Sequence, residues 1–114
     1  MKLDSFTRAY IKAALWSSVD DKGLPMDDSY DLDDISPETL GAMIEDCRVF
    51  QEANADDLQD PEQDGHDFWL TRNGHGVGFW DRGYGERGQR LTAACRPYGE
   101  VDLYIGDDGK VHGA

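Results

Sequence analysis

Three histidines, two cysteines and 24 carboxylates are the side chains of this chain best suited to chemistry. His66, Asp67, His75, Asp81 and His112 are the candidate metal ligands and proton carriers. Imidazole and carboxylate are the groups that bind divalent metals and move protons near neutral pH. A hairpin with a two-residue turn at Asn73-Gly74 puts His66 opposite Asp81. That pair could hold a metal or work as base and orienter. No HxxxH or HxH spacing supports a metal, and a simple hydrogen bond between the two explains the pair more economically. No metal site and no catalytic residue is therefore assigned. Cys47 and Cys95 lack a neighbouring His or a setting that would lower their pKa, so both read as reduced core thiols. A disulfide between them would require their Cα atoms to come close.

Two further motifs invite a ligand. Gly83-Tyr84-Gly85-Glu86-Arg87-Gly88 matches GxGxxG, and Asp107 follows at about the distance of a ribose-binding acid. Too little chain follows for a doubly wound domain, so the motif reads as a turn and no cofactor is expected. Asp27-Asp28-Ser29-Tyr30-Asp31-Leu32-Asp33-Asp34 alternates carboxylates as a calcium loop does. It lacks the central Gly and the closing Glu of an EF-hand.

The elements that must position these groups follow from capping and periodicity. Asp4-Ser5 starts a helix whose apolar stripe is Phe6, Tyr10, Ile11, Ala13, Ala14 and Leu15, ending near Ser17. An acidic loop spans 20–35. Ser36-Pro37-Glu38 opens a second helix, with Leu40, Met43, Ile44, Cys47 and Phe50 on one face, fading near 54–58. Asn73-Gly74 between apolar runs predicts a central β-hairpin over 66–83. It puts Phe68, Leu70, Val77 and Phe79 toward the core and Trp69 and Trp80 on the other face. A helix over 89–97 and a strand pair at 101–105 and 110–112, joined at Asp108-Gly109, complete the chain. The expected class is α+β: one domain over 1–114, order α-α-β-β-α-β-β, with helices on an antiparallel sheet of three to four strands.

Charge is distributed unevenly. Residues 20–67 hold seventeen acids against Lys22 and Arg48, which exceeds the whole chain's net charge of −13. Such a field repels nucleic acid and anionic membrane and attracts a basic protein surface. The candidate acidic surface is Asp27, Asp28, Asp31, Asp33, Asp34, Glu45, Asp46, Glu52, Asp56 and Asp57. The candidate aromatic surface is the hairpin face of Trp69 and Trp80 with Arg72 and Arg82. Together with Arg87 and Arg90, those groups are the parts of a single-strand stacking platform. Internal pairing of the arginines with the acids of 20–67 is the favoured alternative, so direct nucleic-acid binding is disfavoured. No apolar run is long enough to span a membrane, and no secretory leader is evident.

The stretches AYIKAALWSS, GHDFWLTRNGHGVGFWDRG and VDLYIGDDGKV resemble a family of small acidic proteins from bacteriophage and phage-derived bacterial sequences. The family carries no established catalytic residues to transfer. The resemblance implies a phage context and a place in the host cytoplasm. By analogy with acidic phage proteins that mimic DNA, it implies a non-enzymatic protein that binds and inhibits a host or phage protein, such as a nucleic-acid-handling defence complex. The partner would present a basic surface. The alternatives are a small metal- or ligand-dependent enzyme built on His66, Asp81 and the Gly-rich turn 83–88, and a single-strand binder using Trp69 and Trp80.

Overall fold

Asp4 sets the first element. In the computed structural model, which describes residues 3–74, 78–79 and 83–114, its carboxylate accepts from the Thr7 backbone N–H at 2.8 Å. Helix α1 then runs Ser5–Ser17. Ser36 caps α2, Pro37–Ala53, by accepting from Thr39 N–H at 3.3 Å, with Pro37 in the first turn. Met43, Cys47 and Phe50 are its buried positions, spaced as one helical stripe.

The third element departs from expectation. Residues Pro61–Arg72 form a helix, α3, where the sequence pattern suggested the first strand of a hairpin. The reason is visible at both ends. Asp60 accepts from Gln63 N–H at 3.3 Å, and Pro61 follows it, repeating the Ser36-Pro37 start. Asn73-Gly74 closes the helix instead of turning a hairpin: Asn73 Nδ2 donates to Trp69 O at 2.9 Å, and Gly74 takes φ +75° with its N–H on Thr71 O. Such a residue with positive φ just past a helix is a common stop. Consecutive Phe68, Trp69 and Leu70 fan around α3, and all three are buried. The second strand of the expected hairpin lies largely outside the described residues.

Helix α4, Glu86–Cys95, runs into a short 3-10 turn, Arg96–Tyr98. Strands β1, Leu103–Ile105, and β2, Val111–Gly113, pair antiparallel with Tyr104 opposite His112. Gly109, at φ +77°, makes their turn. The described order is thus α1-α2-α3-α4-β1-β2, α+β as expected. Its sheet has two strands among the described residues, against an expectation of three to four. The hairpin is tied to the start of α2: Ser36 N–H donates to Val111 O at 2.9 Å and Gly113 N–H to Thr39 Oγ1 at 3.0 Å.

The core is aromatic. Phe50 stacks on Phe68 at 4.1 Å between ring centres, and Phe6, Tyr10, Phe79 and Tyr98 surround them. Offset and edge-on ring pairs add to the area they bury. Cys47 and Cys95 lie in this core as free thiols. Burial pushes the Cys95 thiol up to about 12 and raises Cys47 as well. The thiolate is the reactive form, so neither cysteine is expected to react with a disulfide reagent in the native protein, while both react in guanidinium. A thiol that titrates rapidly without denaturant would contradict this.

Candidate binding face

Of the aromatic and basic residues assigned to the candidate hairpin face, Trp69 and Arg72 are buried. Trp69 is 2% exposed, lies edge-on to Tyr10 at 5.4 Å, and donates from Nε1 to Ser17 Oγ at 2.7 Å. Arg72 is 7% exposed. It donates to Asp46 Oδ2 at 2.8 Å, Tyr10 Oη at 3.0 Å, Tyr98 O at 2.7 Å and Gly99 O at 2.9 Å. Neither residue offers a face to a base. Trp80 and Arg82, the other half of that surface, lie outside the described residues, as do His75 and Asp81.

His66 has a different neighbourhood from the one the hairpin implied. Its ring lies against Trp16 at 6.0 Å, and its Nδ1 is 3.5 Å from Asp67 Oδ1. Among the described residues, no three His, Cys, Asp or Glu side chains converge to hold a metal ion. The glycines of the turn have backbone and packing roles. Gly85, at φ +66°, precedes α4, and a Cβ on Gly88 would lie 3.0 Å from Phe79 O. The strand after α4 pairs antiparallel with β2, so among the described residues the strand–helix–parallel-strand setting of a dinucleotide fingerprint is not formed.

The ten candidate carboxylates divide into two groups. Several are consumed within the chain. Asp31 accepts from Asp33 N–H, and Asp34 accepts from Asp31 N–H, both at 2.9 Å, closing a capping box around a 3-10 turn at Leu32–Asp34. Glu45 and Glu52 both grip Arg48, whose hydrogen bond holds the Glu45 carboxyl below its ordinary range. Asp46 is taken by Arg72, and Asp57 by Arg90 at 2.6 Å, which lowers the Asp57 pKa. Arg72–Asp46 and Arg90–Asp57 are pairs of the kind expected between the hairpin-flanking arginines and the acids of 20–67, whereas Arg87 donates to the Asp57 backbone carbonyl at 2.8 Å. Asp27, Asp28, Asp33 and Asp56 are exposed, and among the described residues their carboxylates make no hydrogen bond or ion pair.

One of those free acids, Asp27, flanks a groove together with Asp31, whose Oδ1 alone is taken by its cap. Met26, wholly buried, pins the acidic loop to the core, with its N–H on Ser18 O at 2.9 Å and its carbonyl accepting from Tyr30 N–H at 2.8 Å. The loop is thereby held beside α1, and a groove of about 500 Å³ lies between them. Ile11, Leu15 and Leu32 supply apolar lining. Arg8 and Lys12 stand on the α1 side, Asp27 and Asp31 on the loop side, and Trp16, Tyr30 and His66 complete the walls. Arg8, Lys12 and Trp16 recur every four residues along α1, a stripe outside its buried face. Trp16 is 57% exposed. Sequence reading passed over it because it falls beyond the apolar stripe; its spacing from Arg8 and Lys12 was the available signal.

No family model matches this chain, and no curated protein or solved structure matches it either.

Proposed function

We propose that this chain is a non-catalytic protein that binds, and thereby inhibits, a host or phage protein presenting a basic surface. The observation that carries the reading is the grouping of unpaired Asp27, Asp28 and Asp33 on the loop that walls the Trp16 groove. Unpaired carboxylates at a rim speed and orient association with a basic partner, while an exposed indole supplies the apolar anchor such interfaces need. A net charge of −13 extends the attraction and disfavours nucleic acid. The phage setting comes from the sequence resemblance, and a DNA-binding channel of a defence complex is the kind of basic surface that fits.

The test is capture from phage-infected cells with the wild-type chain and with a triple variant, Asp27→Asn, Asp28→Asn, Asp33→Asn. A partner retained by the wild type should be held about tenfold more weakly by the variant, from three exposed pairs lost. Its affinity should fall steadily as salt rises. Equal retention by both chains, or an affinity indifferent to salt, would refute the reading.

A further inference from the structure

We propose that the groove between α1 and the acidic loop captures an arginine-bearing apolar segment of the partner. The apolar side chain rests on Ile11 and Leu15. The guanidinium lies against Trp16 and Tyr30 and pairs with Asp27 and Asp31. This rests on the reading that the chain binds a basic protein surface, and it names what that surface inserts.

Three observations converge on arginine. The groove, at about 500 Å³, has the size of sites that enclose side chains or small ligands. One of its walls is an exposed indole, the aromatic ring most favourable to a cation. Among the described residues the carboxylate of Asp27 has no partner, and Asp31 uses one oxygen for its cap and leaves the second open. A guanidinium satisfies both kinds of wall at once, because its flat face stacks on a ring while its edge donates in parallel to carboxylates. A lysine ammonium is compact and strongly hydrated, and meets only the charge.

The opposite rim sets the direction. Arg8 and Lys12 stand there, and among the described residues neither makes an ion pair. They repel a second cation, so the segment enters with its arginine toward the loop and a neutral or acidic residue toward α1. Selection by repulsion as well as attraction is how charged grooves gain specificity.

The first experiment uses N-acetyl-leucyl-arginine amide as probe, with the lysyl and citrullyl peptides for comparison, read by two-dimensional amide NMR of the full chain. The arginyl peptide should shift the Trp16 indole N–H, identified by its loss in Trp16→Phe, and the amides of Tyr30 to Leu32. The lysyl peptide should bind about tenfold more weakly and the citrullyl peptide should leave the spectrum unchanged. Asp27→Asn with Asp31→Asn should abolish the response; asparagine keeps the cap at position 31. Equal shifts from the citrullyl peptide, or shifts that bypass Trp16 and Tyr30, overturn the proposal. A second measurement separates it from the broader reading. A captured partner that is lost on Asp28→Asn with Asp33→Asn but held unchanged by Trp16→Ala overturns the groove and leaves the acidic face standing. A partner indifferent to both sets overturns both.

Discussion

Gly65→Ala is expected to destabilise the protein by about 3 kcal/mol or more, although it adds one methyl group and improves helix propensity. Gly65 sits in the second turn of α3, where that helix crosses α1. A Cβ there would fall on the Phe6 carbonyl oxygen and within 2.9 Å of its carbon. The obstacle is the backbone of α1 inside its first turn, not the end of a flexible side chain, so relief means pushing two helices apart. Phe6 and Phe68 pack against each other at 6.0 Å between ring centres beside this crossing, and separation loosens that contact as well. Against a total stability of roughly 5–15 kcal/mol for a domain of this size, the loss is a large fraction. Chemical denaturation should show the midpoint falling with the slope unchanged. Gly41→Ala is the control: Gly41 is exposed within α2, and no atom lies within 4 Å of its added Cβ. That change should stabilise by about 0.5–1 kcal/mol. If both substitutions behaved alike, the close approach of α1 and α3 would be wrong.

The Gly65 crossing also explains why α3 is hard to read in the sequence. A glycine at mid-helix and the run Phe68-Trp69-Leu70 both favour a strand on local grounds. A helix buried on several sides has no single apolar face to betray it. Asp60-Pro61 was nevertheless the same signature that located α2 at Ser36-Pro37, and it outweighed the Asn73-Gly74 signal. Where one face meets solvent, the pattern was sufficient: α1 and α2 start at their predicted caps, and the alternation after Val101 with Asp108-Gly109 located the terminal hairpin. The candidate face was legible as composition and not as geometry. Nothing local reveals that Asp46 is claimed by a residue 26 positions away, or Asp57 by one 33 away. Only folding separates the consumed acids from Asp27, Asp28 and Asp33.

Arg72→Ala is expected to cost about 3–5 kcal/mol, the range for removing one member of a buried charged network. The side chain is 3% exposed, and its donors serve four acceptors on three different parts of the chain. Two of these, the carbonyls of Tyr98 and Gly99, lie where the 3-10 turn after α4 ends. They have lost the continuation of a helix that would otherwise have satisfied them. The guanidinium also lies beside the Phe68 and Tyr98 rings, 5.7 and 5.6 Å from their centres. Arg72→Lys keeps the charge but loses the planar stack and most of the fixed donors, so it should recover less than half of the loss. The partner carboxylate is the lesser contributor. Asp46 is 35% exposed and water can replace the arginine there, so Asp46→Asn alone should cost about 1 kcal/mol or less. A double-mutant cycle decides the matter. A small coupling energy between positions 46 and 72 assigns Arg72 to tying the turn after α4 onto α3 and α1, whereas a coupling near the whole Arg72→Ala loss would make the ion pair itself the tie.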